Sequence, residues 1–108
     1  MTPELPAPIH AYFAAKKNNN VEGMVASFSE TATVRDEDKE RRGLANIREW
    51  IVETNKKYRY DVEIRAATPK GNKTIVACRL TGDFPGSPVD VSYTFGLDDG
   101  TIASLEIS

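Results

Sequence analysis

Cysteine and histidine are almost missing from this chain: Cys78 and His10 are single among 108 residues. A disulfide inside the chain needs two thiols, and thiolate or imidazole metal centres need several ligands, so neither organises this protein and no metal is expected. Long apolar runs are missing too, since none approaches the roughly 20 residues of a membrane-spanning helix. The opening stretch, Met-Thr-Pro-Glu-Leu-Pro, has neither the basic nor the apolar region of a secretory signal, which makes a cytoplasmic location and no membrane partner the expectation. One-sided charge is also lacking, with 14 Lys and Arg against 16 Asp and Glu. Basic pairs occur at Lys16-Lys17, Arg41-Arg42 and Lys56-Lys57, but acids are interspersed among them. Nucleic acid is therefore not an expected partner. The length suits a single domain over residues 1–108 with one core.

What is present is periodicity. Pro8 fits the first turn of a helix, and Ile9, Tyr12, Phe13 and Lys16 follow at helical spacing until the Asn18-Asn19-Asn20 run. Asn20 suits the N-cap of a second helix from Val21 to about Phe28, with Glu22 at its positive end. Ala32 to Asp36 reads as a short strand, and Glu37 to Arg42 as a solvated loop or a short edge strand. Gly43 opens a third helix, on which Leu44, Ile47, Trp50 and Ile51 form the apolar stripe and Glu53 with Lys57 an i, i+4 pair. Beyond Tyr58 the period changes to two. Val62, Ile64 and Ala66 alternate with Asp61, Glu63 and Arg65, and Pro69-Lys70-Gly71-Asn72 turns the chain into a second strand, Lys73 to Thr81. That strand is apolar on both sides, with Val76, Cys78 and Leu80 on one and Ile75 and Ala77 on the other. It is expected to be central and covered on both faces, pointing to a homodimer through the outer face of the sheet. Val89, Val91, Tyr93, Phe95 and Leu97 alternate inward, and Asp98-Asp99-Gly100 leads to a last strand from Ile102 to Ile107. Helices first and strands joined by short turns afterwards imply an α+β domain with a largely antiparallel sheet.

Three polar tips lie on faces otherwise assigned to the core: the Tyr12 hydroxyl, the Asp36 carboxylate and the Tyr93 hydroxyl. Asp36 shares its side of the strand with Ala32 and Val34. An unpaired buried carboxylate costs several kcal/mol, so such a group is either satisfied or functional. In an apolar pocket a carboxylate can act as a general base, and nearby phenols can donate to the oxyanion formed when a proton leaves carbon beside a carbonyl. The bland alternatives are a strand-end Asp36 paired with Arg41 or Arg79, tyrosines and Trp50 serving only as core, Cys78 as a small buried hydrophobe and His10 as a helix-flank residue.

The whole chain resembles the nuclear-transport-factor-2-like superfamily, in its SnoaL-like and ketosteroid-isomerase-like branch. Tyr12-Phe13-Ala14-Ala15, Met24 to Phe28, Ala32 to Asp36, Gly43 with Ile47 and Trp50, and Val91 to Leu97 with its Asp-Gly turn carry the resemblance by their order and spacing. It implies a cystatin-like cone, in which a curved, mainly antiparallel mixed sheet wraps against three N-terminal helices around a pocket. In that family's pattern Tyr12 matches the tyrosine that donates to the oxyanion, Asp36 the general base and Trp50 an aromatic wall of the substrate site. The position of a second, acidic donor falls on Tyr93. A phenol is neutral at pH 7 and can donate, but it is bulkier than an aspartic acid. The resemblance thus implies a cofactor-independent isomerase or cyclase acting on a small apolar carbonyl compound. The alternative is a non-catalytic module of the same fold that binds an apolar ligand or dimerises.

Overall fold

The computed structural model describes residues 5–57 and 60–108, without the side chain of Lys57. The readings of the opening four residues and of the Glu53–Lys57 pair fall outside the described residues. Helix α1 (Ala7–Lys17) has Pro8 in its first turn, where no intrahelical N–H is needed, and buries Ile9, Tyr12, Phe13 and Ala15. In α2 (Val21–Ala26) the Asn20 side chain caps the start by accepting the Gly23 N–H at 3.0 Å. This helix stops short of the expected Phe28. Instead Phe28 opens strand β1 (Phe28–Asp36), where it pairs with Ile102 and its ring stands edge-on to Tyr12 at 5.7 Å.

The charged run after Asp36 resolves into an edge strand. Glu37 and Asp38 both take positive φ, 53° and 62°, and reverse the chain into β2 (Lys39–Arg42), antiparallel to β1. Gly43, with φ 82°, donates its N–H to the Ala32 carbonyl at 3.0 Å and so bends the chain into α3 (Leu44–Lys57). That left-handed backbone suits glycine, which has no Cβ to clash.

Four strands follow: β3 (Tyr60–Lys70), β4 (Lys73–Gly82), β5 (Val89–Asp98) and β6 (Thr101–Ile107). Among the described residues the six strands form one sheet in the order β2-β1-β6-β5-β4-β3, antiparallel except for the parallel pair β1 and β6. The last strand thus slots between the first and the fifth. Helices and sheet bury a common core that includes Ile9, Met24, Val34, Ile47, Val76, Phe95, Ile102 and Leu105. The fold is α+β, three helices against a mixed sheet. No helix among the described residues is long and apolar enough to cross a membrane.

Two strand readings change. A register shift between Ile64 and Ala66 reverses the alternation, so Ala66 faces outward opposite Ala77 while Ala67 packs on the core opposite Val76. An extra residue at a bulge sends every later side chain to the other face. Strand β4 lies second from the edge, and the described residues cover only one of its faces. Val76 and Cys78 are buried, whereas Ile75 and Ala77 remain half-buried on the outer face.

Candidate functional site

The first side chains of the site come from α1. Tyr12 and Lys16 are one helical turn apart and therefore share a face, and both line a cavity of about 650 Å³ between helices and sheet. Tyr12 is fully buried, its ring edge-on to Phe13, Phe28 and Phe95 at centroid distances of 5.3, 5.7 and 5.8 Å. Strand β1 contributes Asp36, half-buried at its inward end beyond Ala32 and Val34. Helix α3 contributes Trp50, whose indole Nε1–H donates to Asp36 Oδ2 at 3.1 Å. Strand β5 contributes Tyr93, stacked on Phe95 at 6.1 Å and edge-on to Phe13 at 5.3 Å. Met24, Ile51, Leu80, Val91 and Ile107 add apolar wall. The β1–β2 turn forms one lip, with Glu37, Lys39 and Arg41, and residues 84–86 with Val89 form the other. Val89 follows the inward parity of β5 but, sitting at this lip, is 38% exposed.

The electrostatics separate the carboxylate from the phenols. Burial raises the Asp36 carboxyl above its ordinary value of 3.8, and the neighbouring Glu37 charge pushes the same way. The Trp50 hydrogen bond, the Arg41 charge and a hydrogen bond from the Glu37 backbone pull against that rise. Burial, and then the nearby Tyr60 and Asp36, hold the Tyr12 phenol well above its ordinary 10.0. Tyr93 is raised for the same first reason, with Tyr12 and Tyr60 as neighbours and a hydrogen-bonding interaction with Tyr60. Both phenols are thus neutral donors at any physiological pH.

The four residues singled out in the sequence, Asp36, Tyr12, Tyr93 and Trp50, all line the one cavity. The contact to Asp36 differs from what their roles suggest: among the described residues its side-chain donor is Trp50, not a tyrosine. Arg79 is not its partner either, because it sits on the outer face and binds Asp90 at 3.0 Å. Arg41 is near enough to stabilise the carboxylate charge. Cys78 is buried, and its thiol is pushed up to about 12, as befits an inert small side chain.

Two residues of the site escaped the sequence reading. Tyr60 has the inward parity of Val62 and Ile64, so extending that alternation back by two residues would have found it. Lys16 lies on the Tyr12 stripe, but a lysine in a last helical turn has an ordinary role at the negative helix end, which hid it. Its Nζ stands 4.6 Å from the centre of the Tyr60 ring.

Comparison with known proteins agrees with the fold. A candidate polyketide cyclase from Sinorhizobium meliloti is 36% identical, with a TM-score of 0.92 over 96% of this chain and 95% of its own. A Catenulispora acidiphila protein with a ketosteroid-isomerase-like fold, solved in complex with trimethylamine, superposes with a TM-score of 0.83 at 19% identity, over 97% of this chain and 86% of its own. A cystatin-fold protein from Novosphingobium aromaticivorans gives a TM-score of 0.78 at 18% identity, covering 94% and 95%. No curated protein matches the chain. The model of the SnoaL-like domain matches residues 9–105, and the chain belongs to that family.

Proposed function

We propose that the chain is a cofactor-independent enzyme that moves a proton on a small, largely apolar carbonyl compound, with Asp36 as the general base. The observation that carries this reading is the state of Asp36: a half-buried carboxylate with a raised pKa, fixed by Trp50 in a cavity lined by two neutral phenols. A base gains strength as its pKa rises toward the working pH, provided it stays ionised there. In the proposed step a carboxylate oxygen of Asp36 takes a proton from the carbon beside the carbonyl, and the bonding electrons move to the carbonyl oxygen. Tyr12 and Tyr93 donate to the enolate oxygen, a stabilisation that grows as charge develops. Return of the proton to another carbon completes an isomerisation; attack of the carbanion on a second carbonyl within the substrate, with the Asp36 proton passing to the alkoxide so formed, completes a cyclisation. The similarity to a candidate polyketide cyclase supports carbanion chemistry of this kind.

The test is hydrogen–deuterium exchange at the α-carbon of 2-tetralone in deuterated buffer, followed by proton NMR. The native chain is expected to accelerate exchange, and Asp36→Asn to remove about 10²–10⁴-fold of that acceleration. Exchange that proceeds equally with Asp36→Asn overturns the assignment of the base. A protein that binds the ketone without promoting exchange is a binding module.

A further inference from the structure

Among the described residues three cations line the cavity, Lys16, Lys39 and Arg41, and Lys16 is the one that stands on α1, away from the β1–β2 lip. Lys16 is half-buried, lines the cavity and lies against the face of Tyr60 at 4.6 Å, with the ring of Phe84 edge-on to Tyr60 at 6.1 Å. Among the described residues no carboxylate is within ion-pair distance of its amine; the ion pairs are Arg42–Glu40, Arg48–Glu22, Arg65–Glu63 and Arg79–Asp90. Asp36 has its own neighbours, Trp50 and Arg41, and Lys16 is not among the charges that set its ionisation. The Lys16 charge is instead felt deep in the sheet, where it pulls the Cys78 thiol downward against burial.

An ammonium carries three N–H donors, and a ring face attracts its charge without taking those hydrogen bonds along a lone pair. Half-buried and with no protein acceptor among the described residues, this ammonium is open to a ligand, and an oxyanion in the cavity would satisfy it with a charge-assisted hydrogen bond. Placement narrows the ligand further. One helical turn separates Lys16 from Tyr12, so an anion on Lys16 lies beside the phenol that faces the enolate oxygen in the proposed reaction. The other cations of the lining, Lys39 and Arg41, belong to the β1–β2 lip on the Asp36 side.

We propose that Lys16 is the anion-binding residue of this cavity and that the natural ligand is an acidic carbonyl compound, its carboxylate held by Lys16 and its apolar body against Tyr60, Phe84 and Leu80. The inference rests on the cavity being the ligand site, as proposed above, but not on Asp36 acting as a base. Lys16 is then a specificity-determining residue that selects anionic over neutral ligands.

The experiment compares two probes of nearly equal shape, 2-naphthylacetate and its neutral primary amide, by titration calorimetry near neutral pH. The native chain is expected to bind the acid about tenfold more tightly than the amide, the size of one net charge-assisted hydrogen bond. Lys16→Met keeps the apolar stem and is expected to abolish that preference while still binding the amide, and Lys16→Arg to retain most of it. Lys17→Met, an equal loss of charge on an exposed neighbour, is expected to leave the preference intact. Equal binding of acid and amide by the native chain, no binding of either, or a preference that survives Lys16→Met overturns the proposal. A preference that depends on Lys16 in a protein whose 2-tetralone exchange ignores Asp36→Asn upholds the anion site and rejects the general base. The two proposals therefore fail separately.

Discussion

At Asp36 the demands of folding and of the proposed chemistry oppose each other, and their balance is readable as a pH dependence. Its carboxyl is raised in the folded chain, chiefly by burial, relative to an ordinary value of 3.8 that applies when unfolded. Between those two values the folded state holds the proton more strongly than the unfolded state, so stability falls as pH rises through that interval. Above that interval the group is ionised in both states and its desolvation penalty opposes folding. Asp36→Asn does not titrate, and its amide oxygen can still accept the Trp50 N–H. We therefore expect Asp36→Asn to be more stable than the native chain at pH 7, with the gain shrinking as pH falls toward and below the ordinary aspartate range. Urea unfolding of both proteins across that interval reads the difference, and a gain that is constant with pH rejects desolvation as its cause. The same variant is the one expected to lose exchange activity, so the site would exchange stability for function. Asp36 was legible in the sequence because Ala32 and Val34 fix its parity, whereas its donor was not. Trp50 is fourteen residues away along the chain, and only the packing of α3 on β1 brings the indole to the carboxylate.

Among the elements, the β1–β2 hairpin has the most unusual backbone. Its turn residues Glu37 and Asp38 both adopt left-handed φ between the paired ends Asp36 and Lys39. A two-residue hairpin turn with positive φ at both positions favours Asn-Gly, and other residues there pay in backbone strain. Replacing Glu37-Asp38 by Asn-Gly is expected to stabilise the chain by about 1 kcal/mol through that relief. It also removes the Glu37 charge, one of the influences that raise Asp36, so the Asp36 carboxyl should move downward toward its ordinary range. Chemical denaturation and a carbon-13 NMR titration of the carboxyl measure the two effects. Unchanged stability would mean that the surrounding strands already absorb the strain. The sequence left this segment open between loop and edge strand because its six charged side chains have no apolar alternation. By contrast, the β3–β4 hairpin was plain from Pro69 to Asn72, since turn residues there separate two alternating runs. The bulge after Ile64 was not legible. Nothing in Arg65-Ala66-Ala67 marks an extra residue, and the shift becomes visible only when Ala67 is found opposite Val76.

For the whole molecule, the pairing of β6 between β1 and β5 could not be read locally, because β1 and β6 are separated by most of the chain and meet in parallel. That arrangement divides the sheet into an inner face toward the helices and an outer face that the described residues leave uncovered. On the outer face Ile75 stands opposite Thr94 and Ala77 opposite Ser92, with Arg79 and Asp90 paired alongside. Thr68 and Ala66 flank Ile75 and Ala77 on β3. Short side chains of this kind let a second sheet approach to the roughly 10 Å of face-to-face packing, and Ile75 supplies the apolar centre. We therefore propose a homodimer in which this face meets its copy, the two-sided apolar pattern of β4 being satisfied only between subunits. Sedimentation at micromolar concentration should give twice the chain mass. Ile75→Asp would bury a carboxylate at the centre of such an interface, at a cost of several kcal/mol, and should give a folded monomer. Because Ile75 points away from the cavity, that monomer should keep the acid-over-amide preference assigned to Lys16. A native chain that sediments as a monomer at tens of micromolar, or an Ile75→Asp variant that dimerises as the native chain does, would move the interface elsewhere or remove it.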